Sequence, residues 1–289
     1  MFFGAIFNEE RIMNVEQIRK TGEELYHKLH LPTWPVGITY IKKEGDIPEE
    51  AVRPSSMGQK WSLCQAVTYA RRHGWHVAMT ADDNFCVPAS AFHKWVDVSD
   101  EDLIESQVQQ RWHKDRNAEQ NRFNVFKGLF AGPEGEKTLQ KMKEYMGFVC
   151  SPLHQAIMEP DSIIVFGDGT HINHMIQALC YDYTMPVMSA FEGFGETCFK
   201  AGLAPFITGR PQVVIPGMGD RAFAGISPEE LAVGLPASKL SVVLDNLFKS
   251  GGHLNIGQPV KTMLAMGLDE SITPGFTFLK NKINKKSGQ

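Results

Sequence analysis

The sequence predicts an α/β protein, because segments with the pattern of β-strands alternate with segments of helical pattern along most of the chain. Two segments of the chain also resemble each other, and each reaches a cysteine at the same distance from its start. A polar, helix-rich stretch separates them. We therefore expect two similar α/β halves, related by a pseudo-twofold duplication, with a helical insertion between them.

The first half, about residues 14–98, begins with a helix over 15–30, where apolar side chains recur at helical spacing. A β-branched run predicts a strand over 36–41. Ser62 is a typical N-cap for a helix over 63–73, which Gly74 ends, and a strand follows over 75–79.

The insertion, about residues 99–150, is rich in Glu, Gln, Lys and Arg, and it predicts two or three helices. The second half, about 151–250, contains three predicted strands and three predicted helices, and residues 251–289 form a tail. We expect the whole chain to be a single α/β domain. The strands are predicted over 162–166, 186–191 and 212–215, and the helices over 170–181, 198–208 and 238–248.

The internal similarity starts at Gln65 in the first half and at Gln177 in the second, and each segment reaches a cysteine 21 positions later. If the halves pack about a pseudo-twofold axis, equivalent thiols meet at the seam, where thiolates hold a soft metal or an iron–sulfur cluster. A chance alignment is the alternative. The matched pairs are Gln65/Gln177, Ala66/Ala178, Tyr69/Tyr181, Ala78/Ala190, Cys86/Cys198 and Ala89/Ala201.

Composition limits the classes of partner. The formal net charge of -4 gives no basic stripe for a nucleic acid. No apolar run is long enough for a membrane span, and the apolar start lacks the basic region of a secretory signal. Five widely spaced cysteines are typical of free or metal-binding thiols in a reducing compartment. We expect a cytoplasmic protein with no nucleic-acid or membrane partner, and a homo-oligomer or a redox partner protein remains open.

Cys64, Cys86 and Cys198 are the candidate ligands of a metal or cluster, because each lies at an element boundary where the thiol is accessible. A helix N-terminus also favours the thiolate. The alternative is that they are buried structural thiols, since the chain has no Cys-x-x-Cys pair. Cys180 is predicted to be a core residue, and the similarity gives Cys150 no support as a ligand.

Four charged residues are candidates for catalysis. Glu192 and Glu196 precede Cys198 and are possible proton donors, although they also fit a solvated turn. Arg221 follows a glycine turn that is suited to a carboxylate or phosphate, unless it merely pairs with Asp220 at the surface. Arg221 or Arg71 is expected to bind an anionic substrate.

Several stretches resemble the family known as domain of unknown function 169, also called ArCR. The resemblance implies cysteines at the positions of Cys64, Cys86 and Cys198, and little else about chemistry. This chain departs from the family pattern at Val87-Pro88, where glycines often follow the second cysteine, and in a longer helical segment between the halves. The similar stretches are 34–38, 63–66, 70–71, 85–89, 159–167, 177–179, 197–198, 217–221 and 233–236.

These observations lead to the hypothesis of an iron–sulfur enzyme with a [4Fe–4S] cluster on three cysteines. Three thiolates leave one iron open to a small anionic substrate, so a dehydration or a reductive elimination is expected. Three alternatives remain: a cluster-bearing electron carrier or redox sensor, a sulfur transfer protein, and a binding module for a small anion without metal.

Overall fold

The computed structural model describes residues 13–111, 114–128, 139–182, 186–191, 193, 196–247, 249 and 274–287. The chain divides into two compact units, Met1–Gly257 and Gln258–Gln289. The first contains a six-stranded sheet with helices on both faces. In the second, the described residues form one helix.

The strands are β1 (Val36–Ile41), β2 (Val77–Thr80), β3 (Gly147–Pro152), β4 (Ser162–Gly167), β5 (Gln212–Val214) and β6 (Leu231–Pro236). The α-helices of the first unit are α1 (Val15–Leu29), α2 (Leu63–His73), α3 (Val87–Phe92), α4 (Asp100–Gln110), α5 (Arg116–Gly128), α6 (Gly169–Cys180), α7 (Ala204–Thr208), α8 (Met218–Ala224) and α9 (Leu240–Asn246). A π-helix, Glu196–Leu203, runs directly into α7. The helix of the second unit is α10 (Pro274–Ser287).

The strands lie in the order β2-β3-β1-β4-β6-β5, and every neighbouring pair is antiparallel. The central pair, β1 and β4, is joined over three residue pairs only, from Val36 opposite Ile164 to Ile38 opposite Ser162. On one face, α2, the π-helix and α7 pack against a core that includes Phe148 and Phe166. On the other face, α1, α6 and α9 cover a second core.

The sheet consists of two strand trios with the same connectivity. In β1-β2-β3 and in β4-β5-β6, the first strand is innermost, the third lies in the middle and the second is at the edge. β3 and β6 each end in a proline that is followed by one turn of 3-10 helix. Equivalent backbone hydrogen bonds close both trios: Leu153 N donates to Pro35 O at 2.8 Å, and Ala237 N donates to Asp161 O at 3.1 Å.

The predicted α/β class is confirmed, but the sequence interpretation differs from the structure in three places. β3 begins inside the stretch that was assigned to the helical insertion. Residues 186–191 contain no strand, so the prediction of a strand there is wrong. The alignment of Gln65 with Gln177 matches α2 with α6, and these two helices lie on opposite faces of the sheet.

A buried carboxylate fixes the loop between β2 and α3. Asp83 is fully buried and accepts hydrogen bonds from Arg53 Nη2 at 2.8 Å, Ser55 Oγ at 2.6 Å and Thr80 Oγ1 at 2.8 Å. Burial raises the pKa of Asp83, but the hydrogen bonds from Arg53 and Ser55 outweigh it, so the pKa lies below its usual value. The loop that carries Cys86 is therefore anchored on an ionised group.

Asp83→Ala is expected to lower the free energy of unfolding by about 2–4 kcal/mol, because it leaves buried donors and the Arg53 cation without their acceptor. Because the folded-state pKa of Asp83 is depressed, this stabilisation is present above the unfolded pKa of about 3.9 and is lost as the pH falls further. Urea unfolding at pH 7 and at pH 3 measures both effects. The matched variant Asp82→Ala changes an exposed neighbour and is expected to stay within about 0.5 kcal/mol of the wild type. Equal losses in the two variants would contradict the anchoring role.

Candidate functional site

A cavity of about 410 Å³ lies beside the face of the sheet on which α2 packs. Its lining includes Cys64, Cys86 and Cys198, the three thiols that the sequence singled out. They belong to three separate segments, at the start of α2, at the start of α3 and in the first turn of the π-helix. The start of α8 forms a fourth wall.

The N-terminus of α2 positions Cys64. Ser62 is the N-cap and forms a reciprocal capping box with Gln65, which fixes the first turn. The Ser62 hydroxyl also lies 3.1 Å from the Cys64 sulfur. The thiol is thus held at a helix N-terminus, where the helix dipole stabilises negative charge.

Backbone hydrogen bonds hold the segment that carries Cys86 beside the start of α2. Trp61 N donates to Asp83 O at 2.9 Å and Phe85 N donates to Trp61 O at 3.1 Å, so the chain before α2 is paired with the chain before α3. Asn84 completes the turn, because its side chain accepts from Cys86 N at 3.0 Å and donates to Cys86 O at 2.9 Å. Cys86 is the N-cap residue of α3, and its thiol faces the cavity from there.

Cys198 lies in the π-helix, which packs closely on β6. A Cβ at Gly234 of β6 would overlap the backbone of Ala201, so only glycine allows this approach. Glu196, two residues before Cys198, also lines the cavity, and its carboxylate pairs with the buried Lys200 ammonium at 3.2 Å. π-helical turns are rare and occur often at functional sites.

Besides Glu196, the cavity lining contains a second carboxyl group, that of Asp220. It is the N3 residue of α8 and accepts a hydrogen bond from Gly217 N at 3.0 Å, which fixes the side chain in the cavity wall. Burial raises its pKa, whereas the bonds from Gly217, Thr197 and the Cys64 thiol lower it, and the net pKa is above the usual value. The sequence analysis proposed Arg221 as the functional residue of this turn. It did not identify Asp220, although the sequence contains the Gly-x-x-Asp capping pattern.

The thiols favour their protonated form without a metal. Burial raises the pKa of Cys64 and of Cys198 well above the usual value, and the charges of Asp220 and of the neighbouring cysteines raise both further. Burial is also the main cause of the raised pKa of Cys86. A bound cation would reverse this balance, since a coordinated thiol loses its proton.

The predicted helical insertion supplies the remaining wall. Ser106, Gln107 and Gln110 of α4 and Arg122 of α5 line the cavity. Gln107 is buried, and its side-chain oxygen has no hydrogen-bond partner among the described residues. The Arg122 guanidinium lies 2.8 Å from the buried Glu119 carboxylate. These polar groups were not identified from the sequence, because helical spacing alone does not show which face meets the cavity.

The other predicted catalytic residues are located elsewhere. Arg71 is fully buried and pairs with Glu230 at 2.5 Å, and both line a separate groove. Arg221 donates to Ser227 O at 2.5 Å and is absent from the described lining of the thiol cavity. Glu192 lies outside the described residues. Of the four charged candidates, the structure thus brings Glu196 to the three cysteines.

The donor set suits a soft metal centre, since three thiols and one carboxyl converge at helix N-termini. In the described part of the chain, no three His, Cys, Asp or Glu side chains are arranged to share a single metal ion.

A family model described as DUF169, uncharacterised ArCR, matches residues 24–246, which is more than half of the chain. The chain belongs to this family. The three thiols and Asp220 all lie within the matched region. A relative among curated proteins is the uncharacterized protein MJ0308 of Methanocaldococcus jannaschii, 23% identical over 234 residues that cover 81% of this chain and 94% of that protein. No solved structure matches the chain.

Within the described ranges, the structure has no helix with the length and apolar character needed to cross a membrane.

In the metal-free protein, the Cys64 and Cys198 thiols are expected to react slowly with a thiol-specific disulfide reagent at pH 7.5, because their raised pKa values keep them protonated. A raised pKa lowers the thiolate fraction, so the native rate should lie below that of the urea-unfolded chain and should keep rising with pH above the ordinary thiol pKa of about 8.5. A slow kinetic phase that disappears in C64S belongs to Cys64, and one that disappears in C198S belongs to Cys198. Native rates equal to the unfolded rates would contradict the burial of these thiols.

Proposed function

We propose that this protein is an iron–sulfur enzyme in which Cys64, Cys86 and Cys198 hold a [4Fe–4S] cluster. The observation that carries the proposal is the convergence of these three thiols, from distant parts of the sequence, on one cavity. Free cysteine is among the most buried residue types, but three structural thiols have no reason to face a common cavity. When bound, a cluster on three thiolates offers an iron with an exchangeable position, which is suited to a dehydration or a reductive elimination.

The cavity supports an enzyme more than an electron carrier. Its volume of about 410 Å³ lies within the range of about 300–1,000 Å³ for small-molecule sites, whereas a carrier needs no such cavity. The residues on the α4 and α5 side are polar, and the thiols lie on the other side. A small polar substrate would thus lie between the amide groups of Gln107 and Gln110 and the thiols.

Among the described residues that line the cavity, Arg122 is the one with a cationic side chain. We assign it the anion-binding role that the sequence interpretation gave to Arg221 and Arg71. Because Glu119 holds its guanidinium in place, Arg122 presents its charge without a loss of side-chain freedom on binding. Glu196, with its charge balanced by Lys200, is positioned to move a proton in the same cavity.

The internal duplication also remains a proposal, now with a different alignment. α2 and the π-helix with α7 lie on the same face and each leads to an edge strand. Cys64 precedes the C-cap Gly74 by 10 residues and Cys198 precedes the C-cap Gly209 by 11, and each glycine is three residues before its strand. The single extra residue accounts for the π-helical turn. This alignment matches Cys64, and not Cys86, with Cys198.

Protein that is purified without oxygen, or reconstituted with iron and sulfide, is expected to contain about four irons and four acid-labile sulfides per chain. C64S, C86S and C198S should each lose most of the iron, since a ligand is removed. The matched control is C180S, because Cys180 is half-buried on α6, on the opposite face of the sheet. Iron and sulfide assays with electronic absorption spectra measure the result. Wild-type protein without iron after reconstitution, or equal iron loss in C180S, would overturn the cluster.

A further inference from the structure

Besides α4 and α5, the cavity is lined by four chain segments that start helices, and the two strand trios contribute two segments each. The first trio supplies the starts of α2 and α3, and the second supplies the π-helix and the start of α8. Three of the four segments bring a thiol. The fourth, at the start of α8, brings the Asp220 carboxyl group.

Asp220 is built into the site as a ligand would be. It is buried, with 7% of its surface exposed, and one of its oxygens is oriented by Gly217 N at 3.0 Å. It lines the same cavity as the Cys64, Cys86 and Cys198 thiols. The carboxylate is therefore held by a backbone donor, Gly217 N. A second-shell hydrogen bond of this kind is typical of metal-binding carboxylates.

We propose that Asp220 is the fourth ligand of the centre, and that it binds the iron that the three cysteines leave open. This inference rests on the proposed cluster and assigns the position that the substrate must take. A carboxylate is a harder and weaker ligand for iron in a cluster than a thiolate. Asp220 therefore protects the fourth iron in the resting protein and gives way when a substrate carboxylate or hydroxyl binds.

The test uses the full-length protein, reconstituted without oxygen, as wild type, Asp220→Asn, Asp220→Cys and Asp82→Asn. Ferricyanide is the oxidant, and the reaction measured is the conversion of [4Fe–4S]²⁺ to [3Fe–4S]⁺ with release of Fe²⁺ and one electron, which reduces ferricyanide to ferrocyanide. Paramagnetic resonance follows the three-iron product, and a chelator assay follows the released iron.

Asp220→Asn keeps an acceptor for Gly217 N but removes the anionic ligand, so iron release is expected to be at least about tenfold faster than in the wild type. Asp220→Cys supplies a fourth thiolate and should slow the release by a similar factor. Asp82→Asn alters an exposed acid near Cys86 and should match the wild type. If Asp220→Asn does not fold, the rate in Asp220→Cys decides.

Each result has a distinct meaning. Wild-type protein that takes up no iron overturns both the cluster and the role of Asp220. Four irons in the wild type, together with release rates in both Asp220 variants equal to that of the wild type, overturn the role of Asp220 alone. Loss of all iron in Asp220→Asn and faster release in Asp220→Cys would also overturn it, because Asp220 would then be needed for the shape of the cavity.

Discussion

The pairing of β1 with β4 is the constraint on which the site depends. It covers only three residue pairs, yet it joins the two strand trios into one sheet. Because α2 and the π-helix follow strands of different trios and pack on the same face, this pairing sets the distance between Cys64 and Cys198. Without it, the thiols of the first trio would have no counterpart from the second.

Electrostatics explain why the cavity is built from helix starts. Three thiolates and a carboxylate would place several negative charges in a buried space, which is costly without compensation. The N-termini of α2, α3 and α8 line that space, and helix N-termini stabilise negative charge. In the free protein, the thiols avoid the remaining cost by staying protonated, as their raised pKa values indicate.

Local signals in the sequence predicted the elements well, and long-range ones did not. The apolar spacing of α1, the N-cap Ser62 of α2 and the apolar run of β4 have physical causes within a few residues, so α1, α2 and β4 were found close to their observed bounds. β3 was missed because a strand that pairs on both sides at the end of a polar insertion has no signal of its own. Residues 186–191 have an apolar pattern but no partner strand in the described sheet.

The residues of the candidate site also differ in how well local sequence signals identify them. Cysteine is rare enough that three thiols at element boundaries identified the cavity without any knowledge of the fold. Charged residues are common, and which of them face a cavity depends on helix rotation and sheet order. Arg71 illustrates this. Its guanidinium pairs with Glu230, and its Cζ lies 4.1 Å from the centre of the Phe166 ring, while neither partner belongs to α2. That Arg122 and Gln107 line the cavity follows only from the packing of α4 and α5 beside it, which the sequence does not show.

The π-helix connects the history of the fold with its chemistry. An α-helix with the same number of turns would need one residue fewer, and the widened π-helical turn takes up the extra residue between Cys198 and Gly209. The close approach to Gly234 holds this widened turn against β6. If the two trios arose from one ancestor, the insertion of that residue is the step that made the second half differ from the first.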